Sequence, residues 1–585
     1  MSQAGKSRVI HVFVLLAICF TLFSWRLIYL QVTQHKYYAS LAAENHIIRK
    51  PIHAPRGAIY DRRGEVLAVS EPLKTVVADG THIADPQRVA EAIADLLEMP
   101  VDKVVERLDP KRPYIVLKRK VEESVALEMR ERLATLKLKG IYFEQDARRV
   151  YPNGKMLAHV IGFLNQDLDG VQGVERTMND YLRGREGFRF TERDRAGHEL
   201  VAYRGQERPA RPGYNVRLTI DMSIQTIVEE ELDAAFADYK PEVATVVMMQ
   251  PQTGRVLAMA SRPCFDANSP GQGKPAEMKN AAIINLVEPG STFKIMTAAA
   301  ALNDKLVTLD TVINCENGRF HFAGRILRDH GHGPFPNLSV ADILVKSSNI
   351  GVAKLAMQMG ERRFYEYIRR FGFGERTGIT LPGEIQGILH PPHKWSKISI
   401  SRIPMGQGVA TTPIQMVTAV SAVANGGKLM MPQIVESVFD NGNRPIVNYD
   451  PIVVRDVVSE ETTELVKTAL SDVVSRRGTA RQAAVKGFSV AGKTGTAQKA
   501  NPRGGYYDDR YVTSFIGFMP VKDPAFVMLV LFDDAKVPNS RNYGGTLAGP
   551  VFARIAERTA RYLNLAPDLP EIEGIPPLQL TATQP

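Results

Sequence analysis

The residues with the most chemistry in them are Ser291 and Lys294, within Glu288-Pro-Gly-Ser291-Thr-Phe-Lys294-Ile-Met-Thr-Ala-Ala-Ala-Ala301-Leu302. Pro289-Gly290 reads as a turn, and the Ala/Leu/Ile-rich run after it predicts a buried helix. Ser291 then stands at the helix N-terminus, and Lys294, three residues on, shares its face and can reach the hydroxyl. A serine hydroxyl is a poor nucleophile until a base takes its proton. A lysine can be that base if burial, nearby cations and the positive helix end lower its pKa. Alone, Ser-x-x-Lys is more often a plain N-cap and a solvated lysine. Two further elements change the weight. Lys346-Ser347-Ser348-Asn349 opens an apolar helix, Ile350 to Met359, and supplies Ser-x-Asn. Val490-Ala-Gly-Lys493-Thr494-Gly495-Thr496-Ala-Gln498 is a strand-like run with Lys-Thr-Gly embedded. Ser540-Arg541-Asn542 and Arg376-Thr377-Gly378 carry similar triplets in the wrong place, so order and context carry the signal rather than each match.

These residue types fit acyl transfer to a serine. Ser291 attacks a carbonyl with Lys294 as base, Ser347 passes the proton to the leaving amine, and Asn349 holds the substrate amide. Lys493 supplies positive field, and the Thr494 and Thr496 hydroxyls hold a substrate carboxylate. Backbone N–H groups of Ser291 and Thr496 form the oxyanion hole. Lys-Thr-Gly on an edge strand lets a peptide bind by strand addition, with Gly495 allowing close approach.

The elements that must position these groups begin near Asn215. Val216 to Asp221 predicts a strand, Met222 to Tyr239 a long helix, and Thr245 to Met259 a hairpin turning at Gln252-Thr-Gly254. Strands return at Val512–Met519 and Ala525–Phe532, and a last helix is expected from Val551 to Leu563. Helices inserted between an early hairpin and late strands imply an α/β sandwich whose sheet closes with distant pieces of chain. Residues 45–215 are rich in short strand-like runs, charges and Gly/Pro turns, and read as a scaffold. Helices are expected there from Asp85-Pro86 through Leu97 and from Glu122 to Leu136.

With 585 residues, 44% hydrophobic and 23% charged, the chain is expected to be a multidomain globular protein rather than a disordered or polytopic one. The net charge of +10 suits a polyanionic neighbour. No Arg/Lys stripe with interleaved aromatics stands out, so nucleic acid is not an expected partner. Val9 to Trp25 is apolar apart from His11, Thr21 and Ser24; at about 1.5 Å per residue it falls a little short of a bilayer core, and continuing to Leu30 closes the gap, with Arg26 snorkelling to the headgroups. No small-x-small cleavage site follows, so an uncleaved single-pass anchor is expected. Lys6 and Arg8 predict a cytoplasmic N-terminus and an extracytoplasmic bulk. Three cysteines, Cys19, Cys264 and Cys315, rule out a disulfide framework and leave one possible pair. Cys315 with His330 and His332 lacks a completing pair for a metal, and Arg-Asp-His-Gly-His-Gly reads better as a loop; no metal and no cofactor are expected.

The triple Ser-x-x-Lys, Ser-x-Asn and Lys-Thr-Gly is shared by penicillin-binding proteins and class A β-lactamases. Three further motifs narrow it: Arg56-Gly57-x-Ile59-x-Asp61-Arg62-x-Gly64; Arg149-x-Tyr151-Pro152-x-Gly154 with Ala158-His159-x-x-Gly162; and Gly170-x-x-Gly173-x-Glu175. With these, nearly the whole chain resembles the class B penicillin-binding proteins. The resemblance implies an α+β multidomain fold with a single N-terminal transmembrane helix, an elongated mostly-β pedestal, and a penicillin-binding transpeptidase domain built as a β-lactamase-like α/β sandwich with an antiparallel sheet. The expected boundaries are 1–8 for a cytoplasmic tail, 9–30 for the anchor, 31–215 for the pedestal, 216–563 for the transpeptidase domain and 564–585 for a flexible tail. It further implies a D,D-transpeptidase that crosslinks peptidoglycan stem peptides, with a D-Ala-D-Ala donor, an amine acceptor and acylation by β-lactams. A membrane-embedded septal glycosyltransferase and other divisome proteins are the implied partners. Ser-Ser-Asn and Gly544-Gly545-x-x-Ala548-Gly549-Pro550-Val551-Phe552 favour the division branch. Met405-Gly406-Gln407-Gly408 is closer to elongation-type members, and Asn280-Ala281-Ala282 lacks an expected Arg. A β-lactamase or β-lactam sensor, a carboxypeptidase, and a catalytically silent divisome scaffold are the competing readings.

Overall fold

The computed structural model describes residues 3–38, 47–193, 199–200, 207–329, 335–501 and 503–570. His330 and His332 of the loop considered for metal, and 571–585 of the expected tail, lie outside the described residues. The N-terminal helix Gln3–Ile28 continues as a π-turn, Tyr29–Thr33. Within it Val9–Thr33, 25 residues of mean hydropathy 2.1, is long and apolar enough to cross a bilayer.

Two compact units divide the chain. Met1–Arg56, Ser70–Arg148 and Gly184–Gly213 form one; Gly57–Val69, Arg149–Arg183 and Tyr214–Pro585 form the other. In the first, Leu73–Ala78 pairs antiparallel with Ile115–Glu122. Asp85 caps the helix Pro86–Ile93 by accepting the Arg88 N–H at 3.2 Å, and turns carry it on to Leu97. The helix Glu123–Thr135 falls within a residue of expectation. Val76, Ala90, Ile93, Leu97, Val104 and Met129, none exposed, make a separate core.

The second unit is built on a five-stranded antiparallel sheet. The elements that frame the site are, in chain order, α1 (Met222–Tyr239), β1 (Val243–Met249), β2 (Val256–Arg262), α2 (Lys294–Asn303), α3 (Asn349–Met359), α4 (Pro413–Ala424), α5 (Glu460–Val474), β3 (Ala491–Ala500), β4 (Tyr506–Met519), β5 (Phe526–Asp533) and α6 (Gly544–Tyr562). The strand order is β2-β1-β5-β4-β3, so the early hairpin is completed by the last three strands, as its sequence pattern implies. All of β5 is buried, the signature of a strand covered on both faces. α1 and α6 pack together and on the sheet, and α4 packs on β1 and β5. Pairing runs Lys493↔Ile516, Thr494↔Phe515, Gly495↔Ser514 and Thr496↔Thr513. Among the described residues the other edge of β3 pairs with no strand.

Two elements depart from the sequence pattern. β4 starts at Tyr506 rather than Val512, because Tyr-Tyr-Asp-Asp-Arg-Tyr is half-exposed and only backbone pairing with β3 holds it extended. α6 starts at Gly544, seven residues before Val551, and keeps Pro550 inside. A proline there removes one intrahelical bond, but the first turn lies on β3, where a Cβ at Gly544 would meet the Ser514 and Gly495 backbones. That contact is tertiary and has no local signature.

The motif pieces 57–69 and 149–183 are structural parts of this unit. Asp61 accepts the N–H groups of Arg63 and Glu65 at 2.7 and 2.8 Å, and its second oxygen accepts that of Met222 at 3.0 Å, helping Asp221 cap α1. Arg149 and Glu175, both buried, pair at 2.7 Å. Glu229 on α1 accepts the Leu157 N–H at 2.9 Å and pairs with Arg262 on β2 at 2.7 Å.

Candidate active site

The chain reaches Ser291 through a braced turn. Gly290–Phe293 is a 3-10 turn leading into α2, so Ser291 sits on the turn and Lys294 opens the helix. Val287 bridges Thr411, the Gly290 N–H donates to the Gly406 carbonyl at 3.3 Å, and the Gly408 N–H donates to Glu288 Oε1 at 2.8 Å. Gly406 has φ +83°, and a Cβ on it would meet the Gly290 backbone; the Met405–Gly408 loop therefore braces the nucleophile turn through glycine. On its other side the turn lies against β3, where a Cβ at Gly495 would strike Ser514 Oγ and crowd Thr292 and Pro289.

Ser347 stands between two helices. Val340–Val345 ends just before it, and Ser348 caps α3 by accepting the Gly351 N–H at 2.9 Å. Ser347 itself adopts φ +60°, an uncommon conformation for a residue with a side chain. From there its hydroxyl meets both lysines. Lys294 Nζ lies 3.1 Å from Ser347 Oγ, and Lys493 Nζ lies 3.0 Å from it. Lys294 Nζ also reaches Asn349 Oδ1 at 2.7 Å and the Ser347 carbonyl at 2.5 Å. The Asn349 amide is turned this way because its Nδ2 donates to the Arg328 carbonyl at 2.9 Å. The structure thus brings Lys294, Ser347, Asn349 and Lys493, drawn from three distant motifs, into one cluster, with both lysines on the Ser347 hydroxyl and Asn349 on Lys294.

Both lysines are fully buried. Sharing Ser347 Oγ keeps their nitrogens within about 6 Å of each other, where two full charges repel by about 3 kcal/mol at an effective dielectric near 20. Burial pushes Lys493 down to about 7. Burial, and then the Lys493 charge, hold Lys294 well below the ordinary lysine value, against the opposing pull of Asp329. The shift favours the neutral amine at Lys294, the form a general base needs.

The direct hydrogen bond from Lys294 to Ser291 is not formed; the Ser347 carbonyl and Asn349 Oδ1 take the Lys294 N–H groups. Such contacts are often long in a site without substrate. On β3, Thr494 Oγ1 lies 3.2 Å from Thr479 Oγ1 and 3.5 Å from Lys493 Nζ. Thr496 Oγ1 accepts the Gly544 N–H at the start of α6, at 3.1 Å. An accepted bond leaves the hydroxyl proton of Thr496 free to donate outward, toward an anion on the open strand edge.

Four groups at the site have no sequence signature: Thr479, Glu288, Tyr506 and Asp329. The Tyr506 hydroxyl donates to Glu288 Oε1 at 3.1 Å. Burial pushes Glu288 up, against the Gly408 N–H and the Tyr506 hydroxyl. Asp329 falls in the run read as a loop. Cys264 and Cys315 are free thiols, Cys315 buried 3.6 Å from Ser348 Oγ, so the one possible disulfide pair is not made.

Comparison with known proteins divides the chain linearly, so that 57–69 and 149–183, parts of the catalytic unit, fall within the N-terminal match. Residues 244–557 match the family model described as "Penicillin binding protein transpeptidase domain", and residues 51–218 that of the "Penicillin-binding Protein dimerisation domain". Stage V sporulation protein D of Bacillus subtilis is 35% identical over 573 residues, covering 97% of this chain and 88% of that protein. Peptidoglycan D,D-transpeptidase FtsI of Escherichia coli is 33% identical over 526 residues, covering 88% and 85%. Among solved structures, penicillin-binding protein 2X of Streptococcus thermophilus superposes with TM-score 0.77 at 24% identity over 88% of this chain and 80% of that one, a likeness of fold. Penicillin-binding protein 3 of Mycobacterium tuberculosis, solved with aztreonam, gives 0.69 at 27% identity over 89% and 99%. Motifs, sheet and matched domains agree along the whole length: the chain belongs to the class B penicillin-binding proteins.

Proposed function

We propose that this chain crosslinks peptidoglycan at the division septum as a D,D-transpeptidase, with Ser291 as the acylated nucleophile. The observation that carries the chemistry is the single Ser347 hydroxyl shared by Lys294 and Lys493. Ser291 Oγ attacks the carbonyl between the two D-alanines of a donor stem peptide, and its proton passes to neutral Lys294. The oxyanion is held by the backbone N–H groups of Ser291 and Thr496. The C–N bond then breaks; the leaving D-alanine nitrogen takes a proton from Ser347 Oγ, which Lys294 restores. An acceptor amine attacks the resulting ester and gives a proton to Lys294, which passes it to Ser291 Oγ as the ester C–O bond breaks. Neutral Lys294 has two hydrogens and a lone pair. The hydrogens suit the Ser347 carbonyl and Asn349 Oδ1, leaving the lone pair for a hydroxyl proton. Asn349 keeps its second Nδ2 hydrogen for the substrate amide. The donor peptide adds along the open edge of β3, its carboxylate on Thr494 and Thr496, with Lys493 supplying positive field and Gly495 the clearance.

The same serine is acylated by β-lactams. Incubating the protein with a fluorescent penicillin, with and without Ser291→Ala, tests this: a stable label lost in the variant is expected. A label that survives Ser291→Ala sinks the assignment, and one that hydrolyses within minutes points to a β-lactamase.

Ser-Ser-Asn, the glycine-rich start of α6 and the similarity to FtsI support the division role. The anchor Val9–Thr33, with Lys6 and Arg8 before it, supports a cytoplasmic N-terminus and an extracytoplasmic catalytic unit. A membrane-embedded septal glycosyltransferase is the expected partner. Depletion in growing cells is expected to give filaments; rounded cells would instead assign the chain to elongation.

A further inference from the structure

Asp329 closes the short hairpin Arg319–Phe322/Arg325–Arg328 and lies directly behind the Ser347-Ser348-Asn349 element. Its Oδ1 accepts the backbone N–H groups of Asn349 at 2.5 Å and Ile350 at 3.0 Å. Its Oδ2 accepts the Ser348 hydroxyl at 2.9 Å. One carboxylate thus takes two of the free N–H groups of the first turn of α3, and steadies the serine that caps the next. Arg328, one residue earlier, fixes the Asn349 side chain through its carbonyl. The hairpin end therefore holds both the backbone and the amide of Asn349, and with them the strained Ser347 conformation. The charged groups facing Lys294 are Lys493, positive, and Asp329, negative.

Resting on the reading of Lys294 as base and Ser347 as relay, we propose that Asp329 is a positioning residue of the transpeptidase reaction: its carboxylate sets Ser347 and Asn349 against Lys294 and is the counter-charge that faces buried Lys294. Geometry and charge make separable contributions. Asp329→Asn keeps one oxygen acceptor and nearly the same shape, but removes the charge and one acceptor. Without the anion, Lys294 is left facing Lys493 alone, so it gives up its proton at lower pH than before.

The test is the pH dependence of fluorescent-penicillin acylation by the full chain in detergent micelles, with the end-point label counting the folded, competent fraction. Asp329→Asn is expected to lower the plateau second-order rate constant by ~10- to 100-fold, the range for a lost charge-assisted hydrogen bond. Its acid limb is expected to move to lower pH than in the native protein. Asp329→Ala is expected to lower the plateau further and to move the limb the same way. An acid limb that stays at its native position, whatever the plateau, reduces Asp329 to a helix cap and overturns the proposal. A folded Asp329→Asn that takes no label at any pH overturns it as well, since an amide at this position leaves Ser291 and Lys294 intact. Ser291→Ala and Lys294→Ala, run beside it, separate the two ideas: label retained in either breaks the assigned roles, whereas label lost in both with an unmoved Asp329→Asn limb breaks only this inference.

Discussion

Lys493→Met should make the protein inactive and, at the same time, more stable, by an amount that depends on pH. Burial holds the Lys493 amine at about 7, against an ordinary lysine value of 10.5. At about 1.4 kcal/mol per tenfold, charging it inside the fold costs roughly 5 kcal/mol more than in the unfolded chain. The unfolded chain keeps this proton up to about pH 10.5, whereas the folded one releases it near 7. Between those values the unfolded state binds more protons, so raising the pH favours the fold; below 7 the whole cost is present. The penalty relative to an uncharged side chain is then roughly 5 kcal/mol at pH 6 and about 2 kcal/mol at pH 9. Methionine fills similar volume without a charge. It also loses the bond to Ser347 Oγ, a loss that does not vary with pH. The pH-dependent part, about 3 kcal/mol between pH 6 and pH 9, is therefore the clean observable. Denaturant unfolding followed by fluorescence of Trp395, which stands in the catalytic unit with its indole N–H on the His390 carbonyl, gives the midpoint of each protein at both pH values. A gap between variant and native protein that is the same at pH 6 and pH 9 refutes the argument, because Lys493 would then carry its charge in the fold at no cost. Removing this charge also relieves Lys294, so any residual acylation should show an acid limb at higher pH.

Gly406→Ala should leave the fold intact and slow acylation at least ~10-fold, because the new methyl meets the Gly290 backbone and shifts the turn carrying Ser291; native acylation kinetics in the alanine variant would dissociate the Met405–Gly408 loop from the nucleophile. Ser347→Gly relieves a left-handed residue at φ +60° and should stabilise by up to about 1 kcal/mol, while removing the shared hydroxyl and nearly all acylation. A thermal melt beside the label assay checks it, and a glycine variant that is less stable and still labelled contradicts both halves. Glu229→Ala removes the partner of buried Arg262 and the acceptor of the Leu157 N–H; about 3 kcal/mol of stability should go with it, although Asp233 still pairs with Arg262. A denaturant midpoint that falls by less than the equivalent of 1 kcal/mol would show that the 149–183 segment is not held through this pair.

Much of this architecture is written locally. Met222–Tyr239 is a helix because Asp221 caps it and apolar residues recur on one face; the structure ends it at the same residues. The strands flanking Gln252-Thr-Gly254 and the late strands are short apolar runs bounded by turn residues, the pattern of covered strands. The three motifs were legible because each needs a fixed local geometry: a helix start, a helix junction, an edge strand. What was not legible is whatever depends on chain segments meeting in space. Gly544-Gly545 before a proline reads as a loop, yet it is the first turn of α6, extended by its contact with β3. Lys294 and Ser291 are three residues apart and look like partners; the acceptors that claim Lys294 come from residues more than fifty positions away.

Asp329 and Glu229 make the same point from the side of charge. Each is a common residue in an unremarkable local context, Asp329 in a run of His and Gly, Glu229 in the acidic stretch Glu229-Glu230-Glu231. Of those three glutamates only Glu229 turns inward, because Arg262 and the Leu157 N–H are there to receive it; Glu230 and Glu231 bind Arg558 and Arg554 at the surface. A carboxylate drawn out of water is tolerated only where donors already wait: Asp329 meets two backbone N–H groups and the Ser348 hydroxyl, and Glu229 meets the Leu157 N–H and the Arg262 guanidinium. The serine and the two lysines identify a reaction from sequence, but the lowered pKa of Lys294 comes from burial and then from the approach of Lys493, against the opposing pull of Asp329, an arrangement no local pattern encodes. The motifs therefore name the chemistry, and the tertiary fold decides the pH at which it runs.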